Sequence, residues 1–160
     1  RDWQCGTLQV DLNLPPRLGA TYVNNEGEKK FPVLLHRAFF GSLERFIGIL
    51  IENNSGTLPN WLTPLQVVII YINDQCTNYA FDIKNKLIEN NIRCEIDARN
   101  EKINYKIREH VSVKIPFIVV IGNKEISNQS VSLRVLGQQN IEELSIENFL
   151  KKIKNSCRQP

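Results

Sequence analysis

The 160-residue chain has no methionine, two tryptophans, two histidines and no C-x-x-C pair among its four cysteines. Each shortage excludes something. Cys5, Cys76, Cys94 and Cys157 are too widely spread to read as a disulfide framework, and without paired spacing a zinc finger built from this chain alone is not expected. The expectation is four reduced thiols. No apolar run approaches the roughly eighteen residues of a membrane span; the longest, 67–72 and 116–121, are strand-sized. No basic start followed by an apolar stretch marks a signal peptide. An initiator methionine is normally removed only ahead of a small residue, and Arg1 is not small, so the chain is expected to be a piece of a longer polypeptide.

What is present suits a folded protein. Hydrophobic residues make up 42% and charged residues 23%, enough for a core and for one domain or slightly more. The net charge of +3 is uneven: residues 1–63 carry six basic and six acidic side chains, residues 64–160 carry 14 and 11. Within 99–114, Arg99, Lys102, Lys106, Arg108 and Lys114 meet only Glu101 and Glu109. Such a patch suits a phosphate backbone, or is a solvated helix face.

The first block reads as antiparallel and β-rich. In 3–13, Leu8, Val10 and Leu12 alternate with Thr7, Gln9 and Asp11, the period of a half-buried strand, and Pro15-Pro16 ends it. On that strand Trp3, Cys5, Thr7 and Gln9 share a face suited to a pocket wall. Residues 21–23 and 31–40 flank turn residues 24–27 and predict a hairpin whose second strand is central. Gly41 then breaks the strand and Ser42 caps a helix to about Asn53, with Leu43, Phe46, Ile47 and Leu50 as its apolar stripe. Gly56, Pro59 and Pro64 mark a boundary, dividing the chain into 1–57 and 64–160.

The second block alternates strand and helix. Strands are expected at 66–72, 92–98, 116–121 and 130–135. Helices are expected from Asp74 or Thr77 to about Asn90, over 101–113 capped by Asn100, and over 145–155. In the middle helix Ile103, Ile107 and Val111 point inward, and Gly122-Asn123 is expected to turn the chain. The pattern predicts an α/β layer on a partly parallel sheet.

Two residues of the first block stand out. Arg45 sits in the first turn of the helix after Ser42, where the dipole disfavours a cation by up to about 1 kcal/mol. A bound phosphate or a carboxylate would offset that. His36 shares a strand face with Leu34 and Ala38; a lone histidine there reads as a core residue or as one ligand of a metal whose other ligands lie elsewhere.

Two segments carry a resemblance. Trp3-Gln4-Cys5-Gly6-Thr7-Leu8-Gln9-Val10-Asp11, followed by His36-Arg37-Ala38 running into Gly41-Ser42-Leu43-Glu44-Arg45-Phe46-Ile47-Gly48, resembles the end of the catalytic domain of the threonyl-tRNA synthetase family. Arg99-Asn100-Glu101-Lys102-Ile103, Tyr105-Lys106-Ile107-Arg108-Glu109 and Gly122-Asn123-Lys124-Glu125 resemble that family's anticodon-binding domain. The resemblance implies an α/β fold. The end of a class II antiparallel sheet with its motif-three helix would be followed by an anticodon-binding domain with a mixed five-stranded sheet. It implies threonine–tRNA ligase activity for the full-length protein, with ATP and Mg²⁺, L-threonine and threonine tRNA as substrates, a zinc ion, a homodimer and a cytoplasmic location without membrane attachment.

The same resemblance assigns residues. Arg45 is implied to contact ATP; Gln4, Cys5, Gln9 and Ser42 to line the aminoacyl-adenylate pocket; His36 to be one zinc ligand, the others lying upstream. Asn100, Lys102, Arg108, Glu125 and Arg134 are implied to hold or read the anticodon loop. Two departures touch RNA contact: Val135-Leu136-Gly137 replaces further basic residues after Arg134, and Asn104 stands where glycine is common. The alternatives are a tRNA-binding module that does not charge its RNA and a sister synthetase for proline, glycine or histidine. The chain by itself is expected to be catalytically inactive.

Overall fold

The structure is a computed structural model and describes residues 2–159. The chain divides into two compact units, one up to Ser55 and one from Gly56.

In the first unit, β1 (Gly6–Asp11) pairs antiparallel with the later strand β4 (Leu34–Phe39). The register sets Thr7 opposite Ala38 and Gln9 opposite His36. Because side chains alternate, Thr7, Gln9, Asp11, His36 and Ala38 share one face. Leu8, Val10, Leu35 and Phe39 share the other, each 58–64% exposed. Between these strands lie the four-residue helix α1 (Leu14–Arg17), β2 (Tyr22–Val23) and β3 (Lys29–Lys30). Pro15-Pro16 thus starts a helical turn; Asp11 Oδ1 accepts the backbone N–H groups of Asn13 and Leu14, both at 2.9 Å.

The hairpin differs from expectation. Tyr22–Val23 pairs with Lys29–Lys30, not with 31–40. Asn24 Oδ1 accepts from Glu26 N and Glu28 N, and Gly27 takes φ +80°, so the turn closes before the apolar run begins. Nor is β4 central: among the described residues it pairs with β1 alone. The helix α2 (Leu43–Asn53) begins as expected, with Ser42 at the N-cap, but none of its residues is buried.

The second unit holds the core. Its elements are β5 (Val67–Tyr71), a 3₁₀ turn (Asp74–Cys76), α3 (Thr77–Glu89), β6 (Cys94–Asp97), α4 (Ile103–Ser112), β7 (Phe117–Ile121), α5 (Asn123–Ser127), β8 (Ser130–Val135), β9 (Ile141–Ser145) and α6 (Ile146–Ser156). The strand order is β6-β5-β7-β8-β9. The first three are mutually parallel, and β8 and β9 add antiparallel. The step from β5 to β6 runs one way along the sheet, and the step from β6 to β7 runs back past β5. Right-handed crossovers therefore put α3 and α4 on opposite faces. One face buries Val67, Ile69, Val119, Leu133, Ile83, Leu87 and Phe149 in the main core. The other packs Val68, Ile70 and Ile118 against Ile103 and Ile107 of α4.

Four sequence expectations change here. α4 starts at Ile103, with Lys102 in the N-cap position and no side-chain cap, so Asn100 lies two residues before the N-cap. Val111 is 44% exposed, because α4 covers β5 and β7 and stops short of β8. Gly122-Asn123 opens the short helix α5 instead of a simple turn. β9 is the fifth strand that the resemblance implied but that the residue pattern did not locate; its Glu142, Glu143 and Ser145 hid the edge-strand pattern.

Candidate functional site

On the first unit, the corner between β4 and α2 carries two successive residues in left-handed conformation, Phe40 at φ +64° and Gly41 at φ +69°. Gly41 adopts this freely; Phe40 does not. The Phe40 ring stacks on Phe46, centroids 4.4 Å apart. This tight reversal delivers the helix start. Ser42 Oγ accepts from Arg45 N at 3.4 Å and donates to Glu44 Oε2 at 2.7 Å. Its one proton is thus committed, and toward a ligand it could act only as an acceptor. The same hydroxyl bond holds the Glu44 carboxyl below its ordinary value.

Among the described residues no carboxylate pairs with Arg45. Its guanidinium carbon lies 5.5 Å from the centroid of the Trp3 ring, a cation–π contact that helps offset its unfavourable place in the helix dipole. Gln4 is exposed and Cys5 half-buried just before β1. Gln9 and His36 are cross-strand neighbours on one face. His36 Nε2 lies 3.3 Å from Asp11 Oδ2, and His36 is 45% exposed. The Asn13 and Leu14 amides, with His36 behind them, hold the Asp11 carboxyl below the usual carboxylate range. An imidazole backed by a carboxylate is how a metal-bound histidine is commonly oriented. Yet it is a single ligand: no group of three candidate ligands occurs among the described residues. The residues present do not make a zinc site by themselves.

On the second unit, Asn100, Lys102 and Glu125 lie at the carboxyl ends of the parallel strands, where ligands of open α/β sheets characteristically bind, whereas Arg134 pairs with Ile118 near the amino end of β7. Asn100 and Lys102 follow β6, and Glu125 follows β7. Ser132 and Arg134 on β8 pair with Val120 and Ile118, so they share the sheet face covered by α4. A groove of about 440 Å³ between α4 and β8 is lined by Val111, Ile118, Arg134, Val135 and residues 136–139. The structure thus brings Arg134 and α4 to one groove. Lys102 and Arg108 stay exposed.

Glu125 is more constrained than its sequence role suggested. It is buried; Oε2 accepts the Gly122 N–H at 2.8 Å in a capping box, and Oε1 accepts the Ser132 hydroxyl at 2.7 Å. Burial pushes this carboxyl up, but the Ser132 hydroxyl and the amides of α5 outweigh it, and the net shift is downward. Each oxygen keeps a second lone pair, so an ionised acceptor remains at the carboxyl end of β7, outside the groove that Arg134 lines.

The basic patch shrinks on inspection. Lys106 is only 3% exposed. Its Nζ donates to the backbone oxygen of Asp97 at 3.0 Å. Arg99 donates from Nε and Nη2 to Asp97 at 2.9 and 2.6 Å, and its Nη1 lies 2.8 Å from Glu109 Oε2. His110 Nε2 is 2.8 Å from Asp97 Oδ2. The Arg99 bonds, working against burial, hold the Asp97 carboxyl far below its ordinary range. Asp97 thus closes a buried charge cluster. No periodic signal announces this, because the partners come from the following loop and helix.

Among the described residues no helix is long and apolar enough to cross a membrane. Residues 66–156 match the family model described as "Anticodon binding domain", and residues 1–54 match "tRNA synthetase class II core domain (G, H, P, S and T)". The chain is 52% identical over 151 residues to "Threonine--tRNA ligase" of Ehrlichia ruminantium (strain Gardel), covering 94% of this chain and 24% of the relative. It is 50% identical over 156 residues to the same-named protein of Orientia tsutsugamushi (strain Boryong), covering 98% and 24%. It thus spans about a quarter of the length of these curated relatives. Its fold matches the RNA binding domain of threonyl-tRNA synthetase from Cryptosporidium parvum Iowa II with a TM-score of 0.81 at 32% identity, over 98% of this chain and 40% of that one. A prolyl-tRNA synthetase from the same species shares the fold at 20% identity, with a TM-score of 0.70 over 96% of this chain and 35% of that one. The chain belongs to the anticodon binding domain family, carried behind a segment of the class II tRNA synthetase core.

Proposed function

We propose that this chain is the carboxyl-terminal part of a threonine–tRNA ligase, with residues 1–57 completing the catalytic core and residues 64–160 reading the anticodon of threonine tRNA. The observation that carries the reading is about 50% identity to threonine--tRNA ligases along nearly the whole chain, across both matched segments in order. The proposed reaction activates L-threonine with Mg²⁺-ATP and passes it to the tRNA. Homodimer formation and a cytoplasmic location belong to the same reading.

In the first unit Arg45 grips the ATP phosphates, its guanidinium held in place by Trp3. Gln4, Cys5, Gln9 and Ser42 surround the aminoacyl-adenylate, Ser42 accepting because its proton serves Glu44. His36 would supply one ligand to a zinc ion, the others being contributed by the upstream part of the full-length enzyme, and zinc held there would bind threonine's amino and hydroxyl groups. A site that must satisfy a hydroxyl rejects an isostere lacking it by about 10⁴–10⁵.

In the second unit Asn100 and Glu125 offer polar edges to unstacked bases, while Lys102, Arg108 and Arg134 meet phosphate or base acceptors. The test is binding of the 160-residue chain to a threonine tRNA transcript and to the same transcript with its anticodon replaced. We expect discrimination between them, with Lys102→Ala and Arg108→Ala each weakening binding and flattening the salt slope by about one unit. Equal affinity for both transcripts would refute anticodon reading.

A further inference from the structure

Asp97 is a carboxylate with its side chain 3% exposed, at the carboxyl end of β6, and it is not itself among the proposed RNA contacts. It ties together three pieces of chain. Its two oxygens receive Arg99 Nε and Nη2, the Arg99 backbone N–H at 3.2 Å, and His110 Nε2 of α4. Its backbone oxygen receives Lys106 Nζ, also from α4. Asn100, Glu101 and Lys102 lie between these anchors, fixed at Arg99 on one side and at Lys106 on the other.

That segment has little else to hold it. Lys102 occupies the N-cap position of α4 without a side-chain cap, so the usual device for fixing a helix start is missing. The remaining ties are backbone bonds: Glu101 N to Arg99 O at 2.9 Å, and Tyr105 N and Lys106 N to Lys102 O at 2.8 and 3.1 Å. Each of these leads back to a residue that Asp97 holds or to the turn beside it. Arg99 is 47% exposed, yet all three of its guanidinium nitrogens face Asp97 or Glu109. A guanidinium committed in this way has little left for a phosphate.

We propose that Asp97 is a positioning residue for RNA recognition: acting through Arg99, Lys106 and His110, it presets the Asn100–Lys102 segment, and Arg99 serves as a clamp and not as an RNA contact. The inference rests on the anticodon reading of the second unit. A preset loop does not have to be ordered when RNA arrives, and that saving appears as affinity.

Salt dependence separates clamp from contact. Arg99→Met in the 160-residue chain should weaken binding to the threonine tRNA transcript about tenfold while leaving the slope of log affinity against log salt unchanged; a phosphate-contacting arginine would lower that slope by about one unit. A double-mutant cycle then separates local positioning from general damage. In the Arg99→Met background, Lys102→Ala should cost less than twofold, because Lys102 is already misplaced, while Arg134→Ala on β8 keeps its full cost. His110→Phe, which removes one tie and leaves Arg99 in place, repeats both measurements if Arg99→Met does not fold. A reduced salt slope, unchanged affinity, or undiminished costs at both Lys102 and Arg134 would overturn the proposal. If Lys102→Ala, Arg108→Ala and Arg134→Ala cost nothing in the otherwise unaltered chain, the anticodon reading falls and this inference with it.

Discussion

Glu125 allows the structural and reading roles of one side chain to be separated. Its carboxylate accepts from Gly122 N at 2.8 Å and from Ser132 Oγ at 2.7 Å. Glu125→Ala removes both acceptors and strands the Gly122 amide, which is buried at the start of α5. An unsatisfied buried donor costs about 1–3 kcal/mol and loss of a cap about 1 kcal/mol, so the expected loss is roughly 2–4 kcal/mol. Glu125→Gln keeps one carbonyl oxygen for Gly122, and the Ser132 hydroxyl can rotate to accept from the new amide. Two charge-assisted bonds become neutral ones, an expected loss of about 1 kcal/mol. The sign with pH follows from the lowered folded-state value. The carboxylate's contribution is present above its unfolded value near 4.5 and is lost as pH falls through the lower folded value. Urea titrations at pH 7 and in the acid range, followed by far-UV circular dichroism, measure both effects. RNA affinity should fall in both variants, since neither keeps an ionised acceptor at this position. Equal destabilisation by Gln and Ala would refute the hydrogen-bond reasoning. Full RNA affinity in the Gln variant would refute the acceptor role.

Three further outcomes are expected. Gly41→Ala places a side chain at φ +69° with nothing within 4 Å of the new methyl, so the cost is conformational only, about 1–2 kcal/mol; a neutral effect on thermal unfolding of the first unit would contradict the strained corner. Gly122→Ala puts a methyl 2.7 Å from Ile72 Cδ1 and 3.1 Å from Glu125 Oε2, so it should disturb the Glu125 acceptor and weaken RNA binding; unchanged binding of the transcript would show that the strand-end turn relaxes without moving Glu125. Lowering the pH should destabilise the second unit through Asp97 progressively from about pH 4 downward: the stability it adds is complete above the ordinary 3.8 and is lost as pH falls from there towards the far lower folded value. An acid transition that Asp97→Asn leaves unmoved would refute that assignment.

Most of the second unit was legible because its signals are local. Apolar runs such as Val67–Tyr71 and Phe117–Ile121 can only be fully covered strands, and each is buried as that pattern demands. The helix stripe with Ser42 at its head was equally plain. What failed to show was what depends on residues distant in sequence. β9 pairs with β8 through Ser130–Ser145 and Arg134–Ile141, and its own alternation of Glu142 and Glu143 with Leu144 names no partner. Lys106 looks like part of a basic face until Asp97 is placed beside it. Glu125 read as a polar candidate in a turn; the capping box and the Ser132 hydroxyl that hold it exist only once β7, α5 and β8 are assembled. The hairpin was misplaced for a different reason. The sequence shows a turn and an apolar run, and the Asn24 side chain closes the turn two residues before that run starts.

The two units put their polar residues to different uses, and the difference follows from burial. In the second unit the charged residues under the site are sequestered: Asp97, Lys106 and Glu125 are each at most 9% exposed, and all are hydrogen-bonded. Buried groups of this kind are costly to leave unpaired, so each arrangement excludes alternatives and the loops they hold are rigid before any ligand arrives. In the first unit Pro15 is the one buried residue among those described, and His36, Ser42 and Arg45 hold their places through exposed contacts with Asp11, Glu44 and Trp3. A two-stranded sheet with both faces open is marginal in water, so those contacts set local geometry without fixing it. The proposed recognition surface of the second unit is therefore preorganised within this chain, whereas the geometry around Arg45 in the first becomes rigid only where its apolar face, led by Leu8, Val10, Leu35 and Phe39, is covered.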